Sequence, residues 1–223
     1  MTREITDNKD SDITRVFIVR HGQTDHNVNK ILQGHLDTDL NELGKQQAVT
    51  VGKYLSQLPI DYFVSSDLTR CRETIKEVLA YQNNKDNVKY TSNLRERDMG
   101  HCEGMYLKDA LAQFGPAFRN LGEKEEELCA RVETEWNTIS KLNHKNVLVC
   151  THGGVITRFT NFLYTNMQYE LDESITPHDL KVPFNTSITV IDINKKTNTG
   201  KIQQFGNTVH LGGNFEVKDQ LLR

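Results

Sequence analysis

Short apolar runs alternate along the chain with stretches in which apolar residues recur at helical spacing. The runs are typical of buried strands, and the spaced residues are typical of amphipathic helices. Strands are predicted at 16–19, 61–65, 88–90, 146–150, 187–193 and 201–205, and helices at 40–58, 68–79, 107–114, 123–142 and 155–164. This alternation predicts an α/β fold, a three-layer α/β/α sandwich whose central sheet is mostly parallel with an antiparallel addition.

Residues at the element boundaries add detail to this pattern. Asn41 is predicted to cap the helix after it, and Ser66 or Asp67 to cap the helix that contains Arg70. Residues 25–39 have too few spaced apolar residues for a helix and are predicted to form a loop. Arg70 would lie in the first turn of its helix, where a cation is unfavourable unless an anion binds nearby.

Three of the predicted strands are followed by polar segments that contain arginine or histidine. The first strand runs into Arg-His-Gly at 20–22, the second into 66–70, which ends in arginine, and another into His-Gly-Gly at 152–154. The carboxyl ends of neighbouring parallel strands meet at one edge of a sheet, where ligands bind in open α/β folds. Two arginines and two histidines at that edge suit a phosphoryl group, because guanidinium groups match phosphate oxygens and a neutral histidine can attack phosphorus.

Composition and charge limit the number of domains and the classes of ligand that such a site could bind. The 223 residues fit a single domain, predicted at 14–223 after a flexible N-terminal tail at 1–13. A net charge of −3, from 27 basic and 30 acidic side chains, gives no signal for nucleic acid, and no apolar run is long enough for a membrane span. Without an export signal, the four cysteines are expected to be reduced thiols in the cytoplasm, with the nucleus left open.

Four segments in chain order form a specific set. Residues 20–27 read Arg-His-Gly-Gln-Thr-Asp-His-Asn, residues 66–74 carry Ser-x-Leu-x-Arg-x-x-x-Thr, and residues 94–104 carry Leu-x-Glu-x-x-x-Gly-x-x-Glu-Gly. With His-Gly-Gly at 152–154, these segments resemble the histidine phosphatase superfamily, the phosphoglycerate mutase-like enzymes. The resemblance covers roughly residues 15–160 and implies a phosphoglycerate mutase-like fold with phosphatase chemistry.

The resemblance also implies a role for each catalytic residue. His21 would be the nucleophile that becomes phosphohistidine, and Arg20, Arg70 and His152 would hold the phosphoryl oxygens. Glu96 would donate a proton to the leaving oxygen and then activate water. The catalytic residues would be His21, Glu96, Arg20, Arg70 and His152. The residues expected to contact the substrate are Arg20, Asn27, Gln33, Gly34, Arg70, His152 and Gly153. No metal and no other cofactor is expected, since cationic side chains neutralise the phosphate.

Three functions are open within this resemblance. The first is a metal-independent phosphomonoesterase acting on small metabolites; the second is a cofactor-dependent phosphoglycerate mutase or a fructose-2,6-bisphosphatase-like sugar bisphosphatase. The third is a phosphate-binding scaffold, which the complete catalytic set disfavours. Family mutases carry tyrosine where this chain has Met99 and lysine where it has Leu107, so hydrolysis is predicted. The sequence leaves three questions open: the identity of the physiological substrate, whether the chain forms a homodimer, and whether Cys102 or Cys150 makes the protein sensitive to oxidation.

Overall fold

The computed structural model describes residues 4–84 and 88–217, and within these ranges seven strands form one sheet. The strands are β1 (Ile13–Arg20), β2 (Tyr62–Ser66), β3 (Val88–Thr91), β4 (Asn146–Thr151), β5 (Glu170–Leu171), β6 (Ile188–Asn194) and β7 (Gly200–Asn207). Their order across the sheet is β3-β2-β4-β1-β6-β7-β5. The pairs β3-β2, β2-β4, β4-β1 and β7-β5 are parallel, so the predicted mostly parallel sheet is confirmed.

Helices cover both faces of this sheet. They are α1 (Asp25–Val28), α2 (Glu42–Leu55), α3 (Thr69–Leu79), α4 (Leu107–Phe114), α5 (Glu125–Ser140) and α6 (Gly153–Thr165). None of the helices within the described ranges combines the length and the apolarity needed to cross a membrane.

The two faces of β1 show why the fold has three layers. Phe17 and Val19 pack against α2 and α3 on one face, whereas Val16 and Ile18 pack against α5 and α6 on the other. Successive side chains of a strand point to opposite faces, so a run of apolar residues is buried on both. Each fully buried side chain of this kind contributes roughly 1.5–3 kcal/mol to folding. The predicted three-layer arrangement is therefore confirmed.

The register of the strands brings the three polar segments to one edge. Arg20 pairs with Thr151 across β1 and β4, and Ser65 pairs with Cys150 across β2 and β4. The residues that follow these strands therefore leave the sheet side by side. Strand β6 runs antiparallel to β1, with Ile188 opposite Val19, so the segment before β6 reaches the same edge.

Two predictions about local structure are wrong. The predicted loop at 25–39 contains helix α1, a single turn held by a capping box between Thr24 and Asn27 rather than by a buried apolar face. Neither Ser66 nor Asp67 caps α3: the helix begins after Leu68 and has no side-chain cap. The predicted cap at Asn41 is confirmed, since its side chain accepts a hydrogen bond from the Gly44 amide.

The described part of the predicted N-terminal tail makes contacts with the domain. Ile5 is 7% exposed and belongs to the core on the α2 side of the sheet. The Asn8 amide donates to Asn146 Oδ1 at 2.9 Å, and Arg15 Nη1 donates to the Thr6 carbonyl at 3.0 Å. The flexibility of residues 1–13 stays a prediction, as does the single domain at 14–223, whose last residues, 218–223, lie outside the described ranges.

Candidate active site

His21 leaves the sheet at the end of β1 in a fixed orientation. Its amide donates to the Thr151 carbonyl at 2.9 Å, and its ring Nδ1 lies 2.7 Å from the carbonyl oxygen of Gly22. A carbonyl oxygen can only accept, so Nδ1 carries a proton, and in the neutral ring Nε2 then carries the lone pair. The side chain is therefore held in the tautomer in which Nε2 is the nucleophilic nitrogen.

Gly22 has to be a glycine because the backbone of α2 packs against it. A Cβ at this position would lie 2.5 Å from the carbonyl oxygen of Gly44, which real Cβ atoms do not tolerate. The Gly22 amide donates to Thr74 Oγ1 at 2.9 Å. The Arg-His-Gly segment is thus fixed to both α2 and α3.

His152 lies beside His21 at the end of β4, with the ring centroids 5.2 Å apart. Its Nδ1 accepts a hydrogen bond from Arg70 Nε at 3.2 Å, so its proton is on Nε2, which lies 2.8 Å from Ser66 Oγ. The second polar segment therefore orients the second histidine, which the sequence alone did not indicate.

Arg70 is fully buried in the first turn of α3. Its Nη1 donates to the Leu36 carbonyl and its Nη2 to the Gly34 carbonyl, both at 2.8 Å. Burial lowers the pKa of the guanidinium, and nearby negative groups, including Glu96, offset part of that effect. The carbonyl oxygens supply partial negative charge next to a cation that the helix dipole disfavours.

Glu96 is held by backbone amides in a buried position, 7% exposed. Its Oε2 accepts from the Gly154 amide at 3.0 Å and its Oε1 from the Arg97 amide at 2.9 Å. A Cβ on Gly154 would collide with Glu96 Oε1, so the second glycine after His152 makes room for the carboxyl group. The first turn of helix α6 therefore contacts the Glu96 carboxyl group through the Gly154 amide.

The loop that carries Glu96 is braced by two other carboxylates. Arg131 makes a two-pronged ion pair with Glu123 at 2.6 and 2.8 Å and also donates to the Glu96 carbonyl at 3.0 Å. Glu103 accepts from the amides of His35 and Met99 at 2.7 and 3.1 Å. These contacts fix the position of the Glu96 backbone.

A small pocket joins these groups. Its wall consists of His21, His26, Asn27, Ile31, Gln33, Gly34, Arg70, Glu96 and Met99. The structure therefore brings the predicted residues His21, Glu96, Arg70, Asn27, Gln33 and Gly34 to one cavity. His26 and Ile31 also line it, although the sequence did not indicate them. A larger cavity of about 310 Å³, bordered by Pro183 and Phe184, contains none of the predicted catalytic residues.

Three predicted residues do not line this wall. Arg20 is 1% exposed, and its Nη1 donates to the Pro183 carbonyl at 2.6 Å. His152 is fully buried beside His21, and Gly153 is the buried first residue of α6. All three are therefore buried: Arg20 precedes His21 in the chain, His152 contacts the His21 ring, and Gly153 follows His152 at the start of α6.

Asn185, in the segment before β6, contacts the candidate site although the sequence did not indicate it. Its Nδ2 donates to the His21 carbonyl at 3.0 Å and to Asn27 Oδ1 at 3.2 Å. The neighbouring Thr186 has a left-handed φ of 58° and donates its amide to the Arg20 carbonyl at 3.0 Å. An asparagine just before a strand does not by itself indicate a site residue. Asn185 reaches the site because β6 pairs with β1, which brings the segment before β6 next to His21.

The electrostatic character of the site suits an anion with a transferable group. Guanidinium groups and a helix N-terminus favour phosphate oxygens, and His21 and the carboxyl group of Glu96 line the same pocket. Across residues 4–84 and 88–217, no cluster of three or more His, Cys, Asp or Glu side chains is arranged to hold a metal ion.

Comparison with known proteins gives consistent matches. The sequence model described as the histidine phosphatase superfamily (branch 1) matches residues 16–207. A protein of Saccharomyces cerevisiae described as a broad-specificity phosphatase is 44% identical over the whole of both chains. A "probable phosphatase" of Schizosaccharomyces pombe is 37% identical over 88% of this chain and 95% of its own. Among solved structures, a phosphoglycerate mutase from Bacillus anthracis aligns with a TM-score of 0.75 at 25% identity, covering 91% of this chain and 97% of its own.

Proposed function

The chain belongs to the histidine phosphatase superfamily (branch 1) and is a phosphatase, and we propose that it hydrolyses small phosphorylated metabolites through a phosphohistidine on His21. One observation carries this proposal: His21 Nδ1 is bound to the Gly22 carbonyl, which leaves Nε2 as the nucleophile in a pocket shared with Arg70 and Glu96. We assign binding of the phosphoryl oxygens to Arg20, Arg70 and His152, and contacts with the substrate to Asn27, Gln33, Gly34 and Gly153.

The first half of the reaction transfers the phosphoryl group to the enzyme. Nε2 of His21 forms a bond to phosphorus while the bond from phosphorus to the ester oxygen breaks. The departing oxygen takes the proton of the Glu96 carboxyl group and leaves as an alcohol. Buried guanidinium groups stabilise the charge that spreads over the phosphoryl oxygens in the transition state.

The second half returns the enzyme to its starting state. The Glu96 carboxylate takes a proton from a water molecule, whose oxygen attacks phosphorus. The bond from phosphorus to Nε2 breaks, and its electron pair returns to the ring of His21. The products are inorganic phosphate, a neutral His21 and a protonated Glu96, ready for another turnover.

The broader setting of this activity is also part of the proposal. We place the enzyme in the cytoplasm with a small phosphate ester as its partner, and the net charge of −3 argues against a nucleic-acid substrate. The range of esters should be wide, because a relative that matches over its whole length is described as a broad-specificity phosphatase.

We expect hydrolysis to be independent of metal ions. The neutralising charge in the proposed site comes from the guanidinium groups of Arg20 and Arg70, which chelators do not remove. Hydrolysis of p-nitrophenyl phosphate should therefore proceed at the same rate with and without EDTA. Loss of activity in EDTA that a divalent ion restores would contradict this expectation.

A second expectation separates hydrolysis from isomerisation. Met99 lines the pocket but its thioether side chain cannot donate a hydrogen bond, and Leu107 is 5% exposed and carries no charge. The chain thus lacks the tyrosine and the lysine of family mutases at these positions. With 3-phosphoglycerate, the release of inorganic phosphate should greatly exceed the formation of 2-phosphoglycerate. Isomerisation that outpaces phosphate release would favour the mutase reading.

A further inference from the structure

The side chain of Asn185 joins the end of β1 to helix α1. It is 5% exposed, and its Nδ2 group donates one hydrogen bond to the His21 carbonyl at 3.0 Å and another to Asn27 Oδ1 at 3.2 Å. An amide NH2 group has two hydrogens, so these two bonds use both of its donors. One buried amide therefore touches both the proposed nucleophile and a residue assigned to substrate binding.

The His21 carbonyl determines which way two amide groups face. A carbonyl oxygen only accepts, so the atom of Asn185 beside it is Nδ2 rather than Oδ1. Because Nδ2 only donates, the atom of Asn27 that it meets is Oδ1. The Thr24 amide also donates to this oxygen, at 3.1 Å, so both of its lone pairs have a partner. Asn27 lines the pocket, and its Nδ2 group is the part of the side chain that these contacts leave for a ligand.

Helix α1 depends on side-chain hydrogen bonds for its position. It is a single turn of four residues, none of them buried, and one helical turn is not stable by itself. The capping box of Thr24 and Asn27 closes the turn from within the same stretch of chain, and a contact from Asn41 Nδ2 to Asp25 Oδ1 at 3.3 Å is exposed to water. Asn185, 158 residues beyond Asn27, ties the turn to the end of β1 by a part-buried contact.

The backbone around Asn185 and the nucleophile is held without the Asn185 side chain. The Thr186 amide donates to the Arg20 carbonyl at 3.0 Å and lies 3.4 Å from the His21 carbonyl. The amide and the ring Nδ1 of His21 have backbone partners of their own, described above. Loss of the Asn185 side chain should therefore affect Asn27 more than it affects the nucleophile.

We propose that Asn185 is a positioning residue, which fixes the side chain of Asn27 so that its Nδ2 group donates a hydrogen bond to an oxygen of the phosphate ester. This inference rests on the proposed reaction at His21. Asn185 does not touch the substrate and acts through Asn27. Without the Asn185 donors the Asn27 amide turns more freely about its Cβ–Cγ bond, and a preorganised donor becomes one that each binding event has to order.

Inhibition by orthovanadate measures this effect in the folded enzyme. Vanadate adopts the geometry of a phosphoryl group during transfer, so it binds the groups that stabilise the transition state. In Asn185→Ala, the Ki of orthovanadate against hydrolysis of p-nitrophenyl phosphate should rise by about tenfold, the effect of losing one buried hydrogen bond. Ki does not depend on how much of the preparation is folded, so a purely structural role would not move it. An unchanged Ki would overturn the proposal.

A second variant, Asn185→Leu, separates the hydrogen bonds from the shape of the side chain. Leucine keeps the branch at Cγ but has no donor, so Ki should rise as much as in Asn185→Ala. A wild-type Ki in Asn185→Leu would mean that the side chain only fills space, and would overturn the proposal. Asn146→Ala is the matched control, because Asn146 is 2% exposed and bonds to the Asn8 backbone at the end of β4 away from the site. It should leave Ki unchanged.

A double-mutant cycle tests whether Asn185 acts through Asn27. Asn27→Ala should itself raise Ki, because it removes the proposed donor to the ester. If Asn185 acts through that donor, adding Asn185→Ala to Asn27→Ala should raise Ki by less than about threefold, since coupled residues are not additive. A larger further rise would show that the two side chains act independently and would overturn the proposal.

The same assays separate failure of this inference from failure of the proposed function. If the wild-type enzyme does not hydrolyse p-nitrophenyl phosphate, the reaction at His21 is refuted, and the role of Asn185 is refuted with it. If the wild-type enzyme is active and inhibited by orthovanadate while both Asn185 variants keep the wild-type Ki, only the role of Asn185 is refuted.

Discussion

Replacing His21 with alanine should abolish phosphate release from every ester. The proposed reaction passes through a covalent bond to His21 Nε2, and alanine offers no atom that can accept the phosphoryl group. We expect a loss on the order of 10⁶ in kcat, the scale reached when a nucleophile is deleted from a catalytic unit. Steady-state release of inorganic phosphate, measured at high enzyme concentration, checks this result.

Trapping the intermediate makes the assignment specific. Wild-type enzyme quenched during turnover of a ³²P-labelled ester should carry label that is labile to acid and stable to base, as expected of phosphohistidine. The label should be absent from His21→Ala and present in His178→Ala, a control that removes an exposed histidine from the 3-10 turn Pro177–Asp179. Label that persists in His21→Ala, or that maps to a serine or an aspartate, would refute the nucleophile assignment.

Periodicity along the chain was enough to predict the layers of the fold. The apolar run that contains Phe17 and Ile18 indicated a strand buried on both faces, and the structure places it at the centre of the sheet. Prediction failed where local hydrogen bonds decide the structure. Helix α1 depends on the capping box of Thr24 and Asn27, and α3 begins without a side-chain cap after Leu68. Neither feature has an apolar pattern that could reveal it.

The residues of the site also divide into those that a sequence pattern predicts and those that it does not. Residues that follow predicted parallel strands, such as His21 and His152, could be grouped because the carboxyl ends of such strands share an edge. Asn185 could not. Its contact with His21 depends on which strand becomes the neighbour of β1. This is a tertiary relation between distant parts of the chain, and no local pattern encodes it.

Changing Glu96 to glutamine should separate two classes of substrate. An alkoxide is a poor leaving group and needs a proton as its bond to phosphorus breaks, whereas p-nitrophenolate leaves readily without one. Glutamine keeps an oxygen that can accept a hydrogen bond from the Gly154 amide, but it has no acidic proton to transfer and cannot act as a base. We expect phosphorylation of His21 to slow by about 10²–10⁴ with alkyl phosphates and much less with aryl phosphates.

The second half of the reaction gives this variant a kinetic signature. Hydrolysis of phosphohistidine still requires Glu96 to take a proton from water, so with an aryl phosphate the Glu96→Gln enzyme should accumulate the intermediate. Stopped-flow measurements should show a burst of p-nitrophenol close to one equivalent of enzyme, followed by a slow steady state. Glu126→Gln, which changes an exposed carboxylate in the first turn of α5, should behave as wild type. An equal loss with both classes of substrate and no burst would mean that another carboxylate donates the proton, and Asp98 and Glu103 would be tested next, because both lie in the same loop and bind its amides.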